Sequence, residues 1–231
     1  MQAMTSHAEP EEDATTEAVD LSGHNLVIRW HEVTAPIAIV KLTDGVGSPD
    51  RRAPAHCAGA RDTGRTLGGY AYLRIRSGRP QDAAQQAREF AEVYTRERCE
   101  FAALDVERAT NEHATPEEAY DAVTGFLAEL HAILAPPTLI YTSPGEAASF
   151  RLQAMPDLAQ YPLWVASYSL SPPRVPAPWQ DWVLWQYTGS GQAPGVDGQC
   201  DRSRYRGTLR QFRAALGLAP ALDAGHDRAG M

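Results

Sequence analysis

Phe101-Ala-Ala-Leu-Asp105-Val-Glu107 is a short apolar run ending in two carboxylates two residues apart. Successive side chains on a strand point to opposite faces, so Asp105 and Glu107 are expected on one face, with Cα atoms about 7 Å apart. Two acids on one face repel each other, and one pKa rises. Acid/base glycoside hydrolysis uses such a pair, one carboxyl protonated and its partner ionised. Asp-x-Glu is common, and as plain structure it would end a strand in solvent. Its meaning therefore depends on the rest of the chain.

Strand-like and helix-like segments alternate around this run, as in an α/β fold. Pro36-Ile-Ala-Ile-Val-Lys-Leu42 reads as a buried strand and Gly68-Gly-Tyr-Ala-Tyr-Leu-Arg-Ile75 as another, with a helix over residues 52–64 between them. Residues 80–98 form an amphipathic pattern in which Ala83, Ala87, Phe90 and Tyr94 recur at helical spacing. Thr115-Pro116-Glu117-Glu118 opens a further helix with a cap, a first-turn proline and early acids. Its apolar stripe is Ala119, Val123, Phe126, Leu127, Leu130 and Leu134, and Pro136-Pro137 ends it before the strand Thr138-Leu-Ile-Tyr-Thr142.

The last third changes character. Leu163-Trp-Val-Ala-Ser-Tyr168 and Trp182-Val-Leu-Trp-Gln-Tyr187 read as strands, and the proline-rich segment between them has no room for a helix. Residues 204–216 are expected to form a short terminal helix. The pattern suggests a barrel that has lost some outer helices.

The chain has 231 residues and a formal net charge of −8. That charge argues against nucleic acid or an anionic membrane surface as the main partner. No stretch approaches the roughly 18 apolar residues that span a bilayer. Residues 1–19 are acidic (Glu9, Glu11, Glu12, Asp13 and Glu17) and lack a basic region followed by an apolar core, so no standard secretory signal is expected. The division read from the chain is a flexible acidic tail over residues 1–18, a catalytic domain over 19–216 and a flexible tail over 217–231. Three cysteines, Cys57, Cys99 and Cys200, give an odd count without metal-type spacing, and the seven histidines form no ligand pair. No metal, cofactor or disulfide framework is expected.

Eight segments then occur in order. They are Val19-Asp-Leu-Ser-Gly-His-Asn25 (with Trp30 following), Lys41-Leu-Thr-Asp-Gly45, Gly68-Gly-Tyr-Ala-Tyr72, Leu104-Asp-Val-Glu107, Ile140-Tyr-Thr-Ser143, Leu163-Trp-Val-Ala-Ser-Tyr168, Leu184-Trp-Gln-Tyr-Thr188 and Val196-Asp-Gly-Gln-Cys-Asp201. Together they resemble glycoside hydrolase family 25, the peptidoglycan-cleaving lysozymes called N-acetylmuramidases, over about residues 19–212. There are departures. Asp44 replaces a glutamate, Ala71 a histidine and Tyr72 a phenylalanine, which bears on cleft shape and substrate preference.

The resemblance implies an irregular TIM-like (β/α) barrel with eight strands and fewer than eight helices, its site at the C-terminal strand ends. It implies cleavage of the β-1,4 bond from N-acetylmuramic acid to N-acetylglucosamine. Glu107 is then the general acid, kept protonated by burial and by Asp105, while Asp105 stays ionised and orients the N-acetyl group. Asp20 and Asp201 complete the catalytic acids; as plain structure they would be a strand-end hydrogen bonder and a turn cap. Tyr70, Tyr141, Tyr168 and Trp164 are the candidates for binding sugar rings, although strand aromatics also serve as barrel core. Gln186 is read as a barrel-internal hydrogen bonder, and Ser22 and His24 as site support.

The expected partner is the peptidoglycan glycan strand, met by a monomer at the bacterial cell wall, after delivery as a phage endolysin or an effector. Two alternatives stand beside this reading: a chitinase-like hydrolase, and a non-catalytic glycan-binding module.

Overall fold

The computed structural model describes residues 14–79 and 81–220. Eight strands close a barrel in sequence order: β1 (Thr15–Leu21), β2 (Ile37–Asp44), β3 (Thr66–Tyr72), β4 (Phe101–Asp105), β5 (Thr138–Thr142), β6 (Leu163–Ala166), β7 (Leu184–Gly191) and β8 (Cys200–Arg206). Neighbours from β1 to β7 are parallel, whereas β8 runs antiparallel to both β7 and β1. Five α-helices accompany the strands among the described residues: α1 (Ala53–Asp62), α2 (Gln81–Glu97), α3 (Pro116–Ile133), α4 (Pro144–Ser149) and α5 (Leu209–Ala215). The expected α/β barrel with eight strands and fewer helices is the fold found. None of the helices is long and apolar enough to cross a membrane.

Local signals explain the element ends. Thr115 caps α3 by accepting from the Glu118 amide, and the Glu118 carboxylate accepts the Thr115 amide in return. The apolar faces of α2 and α3 meet at Phe90 and Phe126, with ring centroids 5.9 Å apart. Leu134 departs from its expected place in the buried stripe. It follows the last turn of α3 and is exposed.

Two apolar layers result. The outer one lies between the strands and α1–α4, and the inner one fills the barrel. On β4 the inward positions are Phe101, Ala103 and Asp105, so one strand runs from an aromatic floor to an acid at the rim. Gly68 on β3 makes room for that floor: a Cβ there would stand 2.4 Å from the Phe101 ring. Below it, α5 closes the lower end of the barrel. Phe212 packs against Phe101 at 5.6 Å, and Arg213 bonds Thr66 at 2.7 Å and Glu100 at 2.6 Å.

Three expectations need correction. The barrel begins at Thr15, not at residue 19, because Thr15–Ala18 pair with Ser203–Arg206 of β8. Glu17, read as part of an acidic tail, accepts bonds from Tyr187 Oη (2.7 Å) and Arg202 (2.8 Å). Residues 204–206 belong to β8 and the terminal helix starts at Leu209, capped by Thr208. Residues 217–220 are tied to α5, where the Leu218 amide donates to Arg213 O and Arg213 Nε donates to Ala219 O. The remainder of both expected tails lies outside the described residues.

No α-helix covers the outer face of β7 and β8 among the described residues; arginines do. The Arg204 guanidinium sits 4.1 Å from the Trp185 ring centroid and 5.0 Å from that of Tyr187. Arg206 lies 4.7 Å from Trp182 and Arg202 5.6 Å from Tyr187. Flat guanidinium groups stacked on aromatic faces shield those rings while keeping their charge in water. The seam thus tolerates the loss of outer helices that the proline-rich connection imposes.

Candidate active site

The rim at the C-terminal ends of the parallel strands encloses a cleft of about 230 Å³. All four sequence-predicted acids, Asp20, Asp105, Glu107 and Asp201, line it, as do Tyr70, Tyr141, Tyr168 and Trp164. Asp20 and Asp105 stand near the ends of β1 and β4. Asp201 reaches the same rim from the beginning of β8, because that strand runs the other way. Lys41, Tyr72, Ser22, His24 and Gln186 complete the lining.

Glu107 lies beyond β4, in the first turn of the following loop. That loop is pinned by Asn111, which is buried. Its Nδ2 donates to Glu107 O (2.7 Å) and Leu73 O (2.9 Å), and its Oδ1 accepts from the Ile75 amide (2.8 Å). Asn111 therefore locks the loops after β3 and β4 together and sets the position of Glu107. Nothing in its sequence context marks it, since its partners are up to 38 residues away.

Burial raises the pKa of Glu107, and the negative charge of Glu146 raises it further, against the neighbouring Tyr141 hydroxyl and Lys41, which lower it. Glu146 faces this loop because its carboxylate accepts the Arg108 amide at 3.0 Å. The expected cause, crowding by Asp105, acts mainly in the other direction. Asp105 is the deeper group, 6 % exposed, and is pushed well above its usual range by burial and then by Glu107. Its Oδ1 is buried and has no hydrogen-bond partner among the described residues. Burial thus works against the ionised form of Asp105 that the resemblance implied.

Gln186 organises the opposite wall. Its Oε1 accepts from Tyr141 Oη (2.8 Å) and Tyr168 Oη (2.9 Å), while its Nε2 donates to Asp20 Oδ2 (3.2 Å). Burial and the neighbouring Asp201 push Asp20 well above its usual range, against the Gln186 bond. Burial raises Asp201 too, while its hydrogen bond with Asp20 lowers it.

The aromatics divide by depth. Trp164 is 2 % exposed, donates its indole N–H to Ser203 Oγ at 2.9 Å and packs edge-on to Tyr141 at 4.7 Å. It forms the floor of the cleft. Tyr168 is 65 % exposed and forms part of the rim. Lys41 stands over Tyr72, its Nζ 4.8 Å from the ring centroid, and pairs with Asp44 at 3.1 Å. Burial pushes Asp44 up, but Arg74 and Lys41 outweigh it and hold the carboxylate below its usual value. Lys41 was legible within a motif but not as a site residue; its role here depends on the rings folded beneath it.

The cleft offers a carboxyl whose pKa burial raises, an unpartnered carboxylate oxygen, flat apolar faces and a neighbouring pair of buried acids. Among known proteins, the chain is 26% identical to Lysozyme M1 of Streptomyces globisporus over 216 residues, covering 89% of this chain and 72% of that one. The crystal structure of a bacterial lysozyme from Streptomyces coelicolor superposes with a TM-score of 0.76 at 24% identity, covering 88% of this chain and 98% of that one. A muramidase from Acremonium alcalophilum superposes with a TM-score of 0.73 at 20% identity, covering 87% and 98%. The sequence model of Glycosyl hydrolases family 25 matches residues 19–196. With that match spanning most of the barrel, the chain belongs to glycosyl hydrolase family 25, as a lysozyme-type member.

Proposed function

We propose that this protein hydrolyses the β-1,4 bond between N-acetylmuramic acid and N-acetylglucosamine in peptidoglycan, acting at the bacterial cell wall. The observation that carries the reading is the pairing of Glu107, half-buried with a raised pKa, with the unpartnered Oδ1 of Asp105 in one cleft.

In this reading protonated Glu107 donates to the glycosidic oxygen as the bond to the anomeric carbon breaks. The N-acetyl oxygen of the same sugar attacks the anomeric carbon, closing an oxazolinium ring. The amide N–H donates to Asp105, which supplies the partner that its oxygen lacks and favours the ionised form. Glu107, now a carboxylate, takes a proton from water as that water opens the ring. The net change is addition of one water, with Glu107 returned to its acid form. Asp20 and Asp201 hold a proton between them and orient sugar or water. Tyr70, Tyr141 and Tyr168 flank the ring above Trp164.

Purified protein incubated with peptidoglycan and, separately, with chitin tests this. New reducing ends on N-acetylmuramic acid are expected. Reducing ends on N-acetylglucosamine from peptidoglycan would assign the other bond. Turnover of chitin alone would mean a chitinase-like hydrolase, and binding without turnover a glycan-binding module.

A further inference from the structure

A second cavity, about 580 Å³, adjoins the cleft and shares Ser22, His24 and Lys41 with it. Its remaining charged lining is Asp44, Asp50, Arg51 and Arg52. Both acids are already engaged. Asp44 is held by Lys41 and Arg74. Asp50 accepts the Gly23 amide at 2.7 Å through Oδ2 and the Arg52 amide at 2.8 Å through Oδ1. Gly23 eases that approach, because a Cβ there would stand 3.1 Å from the Asp50 carboxylate.

The cations are less committed. Arg52 donates only Nη1, to Leu26 O at 2.9 Å, and a guanidinium has five N–H donors. Arg51 is exposed, and its side chain makes no hydrogen bond or ion pair among the described residues. Two adjacent guanidinium groups, one with a single bond and one with none among the described residues, thus line a cavity beside the acid-lined cleft.

The Ser22–Asn25 wall of the cavity is also held in place. Asn25 Oδ1 accepts the Ser22 amide at 3.0 Å and its Nδ2 donates to Gln199 O at 3.2 Å. His56 on α1 is buried and donates to Ser22 O at 3.3 Å. A fixed wall loses little freedom when a ligand docks.

Neutral N-acetylglucosamine has no group that calls for paired guanidinium forks. A carboxylate does, because the planar fork matches it with two parallel hydrogen bonds. Resting on the proposed function, we infer that this cavity is a subsite for a carboxylate on the lactyl-peptide branch of N-acetylmuramic acid, received by Arg51 and Arg52 while the sugar occupies the cleft. The branch has two sources of that group: the carboxylates of the stem peptide, and the lactyl carboxylate that appears when the peptide is removed.

The test compares wild type with Arg51→Glu on three preparations of one peptidoglycan at low salt: intact strands, strands with carboxylates converted to amides, and strands stripped of peptide. KM and kcat are read from new reducing ends. Wild type is expected to show a KM about tenfold lower on intact than on amidated strands, with kcat little changed. In Arg51→Glu that ratio should collapse to about one. Persistence of the Arg51→Glu effect on stripped strands assigns the lactyl carboxylate, and its disappearance there assigns the stem peptide. The inference is overturned if wild type does not distinguish intact from amidated strands, or if Arg51→Glu keeps the wild-type ratio. Calorimetric titration with a soluble muramoyl peptide, free or amidated, reads the subsite without turnover. Selective binding of the free acid, lost in Arg51→Glu, with no hydrolysis of any strand would defeat the proposed reaction and leave the subsite standing; absence of that selectivity overturns the subsite.

Discussion

Asp20 and Asp201 stand directly opposite each other across the antiparallel seam between β1 and β8. One comes near the end of its strand and the other near the beginning, and only opposed strand directions bring both to the same rim. Their carboxyls lie within hydrogen-bond reach, and burial disfavours charge on either one. Each carboxylate therefore shapes the titration of the other, and burial favours a proton on the pair.

Glu107→Gln is expected to fold normally and to lose about 10²–10⁴-fold in turnover, because the amide keeps the shape of the side chain but carries no transferable proton. Near-normal turnover by a folded variant would remove Glu107 from the acid role.

Glu146→Gln keeps an acceptor for the Arg108 amide but removes a charge that raises Glu107. The Glu107 pKa then falls, so the alkaline limb of the kcat/KM profile should move to lower pH. An unmoved limb, measured on wild type and variant in parallel, would show that Glu146 does not tune the acid.

Asp105→Asn should stabilise the fold while abolishing most activity. The folded-state pKa of Asp105 lies above its unfolded value, so the native state binds the proton more tightly. Stability from this group is full below the unfolded pKa and is lost as pH rises through the folded one. The variant removes that loss. At pH 7.5 its Tm is expected to be higher than wild type by about 1–8 °C, the range for gains of 0.5–2 kcal/mol in a domain this size. The gain should shrink toward pH 4, and a gain independent of pH contradicts the electrostatic cause.

Gln186→Leu leaves Tyr141 and Asp20 without their shared partner inside the barrel. Each stranded polar group costs about 1–3 kcal/mol, and a loss of about 2–6 kcal/mol in stability is expected from denaturant titration. An unchanged midpoint would mean that Gln186 does not organise this wall.

Gly68→Ala places a methyl 2.4 Å from the Phe101 ring. Overpacking of this kind costs about 1–3 kcal/mol. A smaller residue at position 101 should recover part of that cost in a double-mutant cycle. Additive losses would locate the strain elsewhere.

The product should first appear with retained β configuration, as attack by the N-acetyl oxygen followed by water requires two inversions. NMR of the anomeric proton before mutarotation reads this directly. An initial α product excludes the substrate-assisted route even if Glu107 remains the acid.

What the chain settles by itself is local. The capping of α3 by Thr115 and Glu118, the inward alternation of Phe101, Ala103 and Asp105, and the helix-poor last third depend on residues a few positions apart, and each is readable from spacing. Asp105 and Glu107 were legible for the same reason, from their spacing at the end of an apolar run, whereas Asp20 and Asp201 stood out only through the resemblance of whole segments to the family. Tertiary structure decided how those acids behave. Asp105 is the deeper carboxyl because β4 carries it into the barrel, and Glu146, thirty-nine positions beyond Glu107, helps to raise that residue. Thr15–Ala18 read as the end of a polar tail because nothing nearby signals a strand; their partners on β8 lie almost two hundred residues away. Periodicity and capping are set by short-range sterics and hydrogen bonds, whereas burial and Coulomb interactions depend on which distant segments fold around a group.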